Sequence, residues 1–193
     1  DPARRREAIQ FVAEIIETAA EFNAPAIIGS MQGQASDITH RSESLGLLAE
    51  SLGTLGEHAQ HHGQVLLYEA LNRYETNLLN TQEDAANFLI EHSLVGKGVR
   101  LLCDLFHMNI EEQNIPETIT RLGRLGSDLI GHVHWADSNR RAMGLGHTDS
   151  TALYRALNAV GYDNYLAAED FPLPSAAEAA SQTILSIEAF TSS

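Results

Sequence analysis

Apolar positions along the chain follow two alternating periods. Over residues 3–22, Ile9, Val12, Ile15, Ile16 and Ala19 share one face at helical spacing, which predicts an amphipathic helix. Pro25 follows, and Ala26-Ile27-Ile28-Gly29 is a short continuous apolar run of the kind buried parallel strands show. The polar stretch 30–39, with Gly33, Gln34 and Asp37, reads as a loop at that strand's exit. A second helix is predicted over 42–62, with Leu45, Leu48, Leu52 and Leu55 inward. The alternation then continues as strand 64–69, helix 81–94, strand 99–104, helix 115–126, strand 129–134, helix 150–160, strand 165–169 and helix 175–190. Pro116 opens one of these helices, where a missing N–H costs nothing, and Gly161 stops another. Strands and helices alternating about every 30 residues predict a parallel α/β sheet built from right-handed βαβ units.

Two parallel architectures fit such a pattern. The open doubly wound sheet holds its ligand on a glycine-rich turn after the first strand, and neither GxGxxG nor GxxxxGK[ST] occurs here. Chemistry-bearing residues stand instead at the ends of several strands, the arrangement of the (β/α)8 TIM barrel. The strand run 64–69 ends at Glu69, 99–104 at Asp104, 129–134 at His134 and 165–169 at Glu169. In a barrel the carboxyl ends of the strands open into one mouth, so these four can converge across long sequence separations. Only five strands are found where a barrel needs eight, and the chain opens on a helix. The expectation is one domain over 1–193, comprising the C-terminal five βα units of a barrel whose N-terminal units are missing.

Three carboxylates and one imidazole make a hard, oxygen-rich ligand set, suited to Mn²⁺ or Mg²⁺, with Co²⁺ an efficient substitute and Zn²⁺ less suited. Taken alone, Asp104 and His107 are explained equally well as a helix cap and a packed histidine. The formal charge of −14, with Lys97 the one lysine, argues against nucleic acid as a partner. A single cysteine, Cys103, forms no internal disulfide and reads as a small buried hydrophobe in a strand. No apolar run is long enough to span a membrane, and Arg4-Arg5-Arg6 leads into an amphipathic pattern, so the expected location is the cytoplasm. His58, His61 and His62 lie in the last turns of the second helix, where its dipole and solvent account for them, and they are left out of the site.

The segments YEALNRYET (68–76), CDLFHMNIEE (103–112), GHVHWADSNRR (131–141) and AAEDF (167–171) resemble the successive strand-end motifs of the xylose-isomerase-like TIM-barrel superfamily, in its branch of ketose 3-epimerases and hydroxypyruvate-type isomerases. The likeness runs from the fourth strand of such barrels to the last helix. It implies a divalent metal held by Glu69, Asp104, His134 and Glu169, and substrate contacts from Glu75, His107 and Arg140. The implied activity is isomerisation or epimerisation of a small ketose or hydroxy-keto acid. Glu69 and Glu169 would act as the acid–base pair on opposite faces of a carbon beside a carbonyl, with a metal-stabilised enediolate between the two proton transfers. The expected partners are a small-molecule sugar, unphosphorylated, and further copies of the chain in a homo-oligomer.

His132, one layer below His134, is expected to be an interior histidine, and Asn72 and Arg73 to be loop or interstrand hydrogen-bonders. Two departures from the family pattern stand out: bulky Trp135, which puts the pocket's shape in question, and Asp170 where many relatives have proline. A dehydratase or an endonuclease on the same fold, and a non-catalytic barrel, are the competing classes.

Overall fold

The computed structural model describes residues 1–191 as α1 (Pro2–Glu21), β1 (Ala26–Ile28), α2 (Arg41–His61), β2 (Leu66–Glu69), α3 (Gln82–Glu91), β3 (Val99–Asp104), α4 (Leu105–Glu111), α5 (Ile115–Leu125), β4 (Ile130–His134), α6 (Ser150–Ala159), β5 (Leu166–Ala167) and α7 (Ala176–Thr191). Short 3₁₀ turns lie at Ser30–Gln32, Ile38–His40 and Val95–Lys97. The five strands form one parallel sheet in sequence order, β1-β2-β3-β4-β5. That order is the one a barrel wall requires, each crossover placing the next strand beside the last.

Side-chain caps set where the helices begin. Asp1 accepts from the Ala3 N–H ahead of α1, Thr81 from Asp84 ahead of α3, Asn114 from Glu117 ahead of α5, and Asp149 from Ala152 ahead of α6. Each satisfies one donor that the first helical turn leaves without a partner. The buried faces of these helices cover one side of the sheet. Val12 and Ile16 of α1, Leu48, Leu52 and Leu55 of α2, and Ile119 and Leu122 of α5 pack with Leu66, Tyr68, Val99, Leu101, Cys103 and Val133 of the strands. Burial drives the Cys103 thiol pKa upward, which fits a packed hydrophobe and not a nucleophile.

The other side of the sheet carries the alternate strand positions, Leu67, Glu69, Leu102, Asp104, His132 and His134. A bulge at Gly131 keeps this alternation in step, because Ile130 pairs with Leu101 whereas His132 pairs with Leu102. From there upward the ladder is regular, and His134 lies directly beside Asp104. A Cβ on Gly131 would stand 2.7 Å from Arg100 Cβ and 2.7 Å from Leu67 Cδ2, so the bulge requires glycine for space.

Two elements differ from the sequence expectation. The stretch after β3 is a separate helix, α4, because Asp104 Oδ1 accepts from the Phe106 and His107 N–H groups and caps a turn at once. β5 is two residues long instead of five, since it pairs only with β4 and its ladder stops at Ala167. Glu169 therefore stands in the segment beyond the strand.

Candidate metal and substrate site

Glu69, Asp104 and His134 end three adjacent buried strands, and Glu169 follows the fourth. One ligand atom from each lies within 4.8 Å of the other three. His134 is the hub. Its Nδ1 is 2.9 Å from Glu169 Oε2, 3.2 Å from Asp104 Oδ2 and 3.7 Å from Glu69 Oε1. Burial alone would disfavour its protonation, yet the facing carboxylates of Asp104, Glu169 and Glu69 outweigh that and raise its pKa to about 11. Burial pushes Asp104 the other way, but the neighbouring His134 and His107 hold it below the usual carboxylate range.

The cluster has the features of a cation seat. Glu69 Oε1 is buried with no hydrogen-bond partner among the described residues, a costly state for a carboxylate oxygen unless something else faces it. Gly29, at the exit of β1, leaves room for the same side chain, because a Cβ there would come 2.3 Å from Glu69 Oε2. Asp104 divides its two oxygens, with Oδ1 capping α4 and Oδ2 facing His134. The cap fixes the carboxylate's orientation for the site. Three carboxylates and one imidazole fit a hard divalent ion.

Around this cluster the three expected substrate positions line up on two sides. The backbone N–H of Asn72 donates to His107 Nδ1 at 3.2 Å, and the Asn72 Nδ2 group lies 2.7 Å from the same nitrogen. With Nδ1 occupied as an acceptor, the ring N–H belongs to Nε2, which faces Glu69 Oε1 at 3.7 Å. Asn72 Nδ2 also donates to Glu75 Oε1, so one asparagine positions both residues. On the opposite side, Arg140 holds Glu169 Oε2 at 2.9 Å and lies over the Phe106 ring, 4.8 Å from its centroid. Arg73 grips Glu111 with Nε and Nη2, tying the β2 exit loop to α4.

Two residues that sequence reasoning missed hold Arg140 in place. Asp137 is fully buried and accepts from the N–H groups of Ser138, Gly144, Gly146 and Thr148 at 2.7–3.0 Å, which folds loop 137–149 around one carboxylate. Burial raises its pKa, but these donors bring it down to about 2. Phe171 donates its N–H to Arg140 O at 2.7 Å, linking the segment after Glu169 to this loop. Arg140 has φ +56°, a conformation non-glycine residues adopt only when surroundings impose it. An aspartate three residues past a strand end is an ordinary loop residue by spacing, so only its backbone partners mark it.

Trp135 does not narrow the site. Its indole is buried among the core side chains and donates Nε1–H to Ser186 Oγ of α7 at 3.0 Å, on the face of the sheet away from the cluster. His132 lies one layer below, its ring 5.4 Å from that of His134, and is not among the four grouped donors. Asp170 accepts from Thr183 Oγ1 of α7. A cavity of about 310 Å³ between α1, α2 and β1 has mainly apolar walls, including Ile9, Val12, Ile28 and Leu48, and reaches Met31 and Gln32 at the exit of β1.

A parallel sheet in sequence order with four ligand-type residues converging at its strand exits defines a TIM-barrel architecture with a candidate metal site. Residues 1–187 match the family model of the xylose isomerase-like TIM barrel, and the chain belongs to that family. It is 33% identical over 174 residues to the 3-dehydro-D-guloside 4-epimerase of Escherichia coli K12, covering 86% of this chain and 64% of that protein. With the ketose 3-epimerase of Arthrobacter globiformis it shares 28% identity over 89% of this chain and 58% of the relative. The chain thus spans about three-fifths of these relatives' length. Among solved structures, the 3-keto-D-glucoside 4-epimerase of E. coli superimposes with a TM-score of 0.79 at 27% identity, over 93% of this chain and 70% of that one. The D-psicose 3-epimerase of Clostridium cellulolyticum, solved with D-tagatose, gives 0.77 at 27%, over 89% and 59%. Among the described residues, no helix is long and apolar enough to cross a membrane.

Proposed function

We propose that this chain carries the metal and substrate site of a divalent-metal-dependent epimerase or isomerase acting on a small ketose or hydroxy-keto sugar. The observation that carries the reading is the convergence of Glu69, Asp104, His134 and Glu169 within 4.8 Å. These four would hold one Mn²⁺, Mg²⁺ or Co²⁺ ion, which supplies Lewis-acid stabilisation of negative charge on the substrate's carbonyl and hydroxyl oxygens. Glu69 at the end of β2 and Glu169 beyond β5 are the pair for proton exchange at the carbon beside the carbonyl. One removes the proton; the other returns it. Return to the opposite face of the same carbon inverts that centre, and return to the neighbouring carbon isomerises the sugar.

His107, with its N–H on Nε2, is placed to donate to a substrate oxygen, and Glu75 at the rim accepts from a hydroxyl. Arg140 holds Glu169 and stacks on Phe106, which supports a role for it at the reacting end of an unphosphorylated substrate. Relatives whose names specify 3- and 4-epimerases of keto sugars support the epimerase form of the reading.

The test is turnover of a panel of ketoses in D₂O with Mn²⁺. Solvent deuterium is expected at the inverted carbon, and Glu69→Gln and Glu169→Gln are each expected to lose on the order of 100-fold or more in kcat. Turnover without deuterium incorporation would replace proton transfer by hydride movement and sink the two-glutamate scheme. A kcat/KM at least about tenfold higher for a ketose phosphate than for the free ketose would overturn the unphosphorylated substrate.

A further inference from the structure

The histidines at the end of α2 acquire a partner that the sequence did not reveal. His58 and His62 are four residues apart and share one helical face, their ring centroids 4.8 Å apart. From α1, Glu17 reaches across and places Oε1 3.1 Å from His58 Nε2. One donor atom from each of the three lies within 4.8 Å of the others. His58 is half-buried, whereas Glu17 and His62 are exposed, so a cation reaches the group without any opening of the fold. The cluster lies where α1 and α2 lead into the starts of β1 and β2, at the opposite end of the sheet from the Glu69 cluster.

We infer that Glu17, His58 and His62 form a second metal site, selective for a nitrogen-preferring divalent ion such as Zn²⁺, that fastens α1 to α2. Tetrahedral zinc with bonds near 2.0–2.1 Å wants its donors roughly 3.3 Å apart. Glu17 and His58 already meet this, and closing the remaining gap moves only the exposed His62 ring. Two imidazoles with one carboxylate favour zinc, copper or nickel, whereas the three carboxylates of the strand-end cluster favour manganese or magnesium. One chain would then sort two kinds of ion at its two ends.

The alternative is a plain ion pair. A helix dipole explains imidazoles near the end of α2, and a His58–Glu17 pair explains the short contact. Neither uses His62. Zinc binding that depends on His62 therefore separates the two readings.

The experiment is zinc titration by calorimetry of the whole chain carrying Asp104→Asn and Glu69→Gln, which disables the strand-end cluster. One equivalent of zinc is expected to bind, with manganese failing to compete. Adding His62→Ala or Glu17→Gln is expected to weaken binding at least about tenfold, while His61→Ala, one residue away and outside the cluster, leaves it unchanged. Equal zinc affinity with and without His62→Ala overturns the site. Should the disabled background not fold, Cu²⁺ bound to the unsubstituted chain with manganese in excess gives the second reading. Its spin-resonance spectrum is expected to show coupling to two nitrogens, falling to one in His62→Ala; an identical spectrum in both overturns the inference.

Discussion

Asp104 serves two neighbours with its two oxygens, and the same economy runs through the residues around it. Gly29 contributes by having no side chain, since a Cβ there would displace Glu69 Oε2. Gly29→Ala is expected to reduce turnover on the order of 100-fold through a shift of that carboxylate, with stability changed by less than about 1 kcal/mol because only a side-chain end must move. Paired activity and melting measurements check it, and a collapse of the melting temperature would contradict it. Asp137 is a case for pH. Its folded pKa of about 2 lies below the ordinary 3.8, so its contribution is fully present above pH 4 and is lost as pH falls from there through about 2. Asp137→Asn is expected to cost on the order of 1–2 kcal/mol at neutral pH, and melting curves of the two proteins should converge as pH drops through that window. A gap that stays constant with pH would show that the carboxylate charge is not what the loop uses. Glu69, Asp104 and His134 were legible because a polar residue at the end of an apolar run is a local signal. Asp137 and Gly29 were not, because their partners come from other strands and loops.

At the scale of elements, the hydrophobic periods located all five strands and six of the seven helices of the described residues, with ends shifted by a few residues. α4 was missed because Leu105, Phe106 and Met108 continue the apolar run of β3, and the break depends on one cap at Asp104. β5 was read too long because Tyr165–Ala168 has strand composition, whereas ladder length is set by pairing, and β5 pairs on one side only. The bulge in β4 left one trace in sequence, a glycine inside a strand pattern. Gly131→Ala is expected to destabilise by about 1–3 kcal/mol, since its Cβ meets the fixed Arg100 Cβ as well as the Leu67 side-chain tip. Chemical denaturation measures this; an unchanged midpoint would show that β4 straightens at no cost.

For the molecule as a whole, alternation of strand and helix was enough to choose the parallel sheet, and ligand-type residues on four strand ends chose the barrel. Glu17, His58 and His62 show the reverse case, where the histidines stood out in sequence but nothing marked Glu17, about forty positions away on another helix, as their partner. The strand-end donors are unequal in how firmly the sheet holds them. Asp104, Glu69 and His134 expose 0%, 9% and 9% of their side chains, whereas Glu169, beyond the short β5, exposes 47%. This inequality has a kinetic reading. In the proposed site, Asp104, Glu69 and His134 would form a standing seat, and Glu169 with its Arg140 contact would act as the latch through which an ion exchanges with solvent. Glu169→Gln is therefore expected to raise the Mn²⁺ dissociation rate by at least about tenfold while changing the association rate little, as affinity changes at one site mostly appear in the off-rate. Stopped-flow displacement by a chelator gives both numbers, and a slower association at unchanged dissociation would mean that Glu169 captures the ion instead of retaining it.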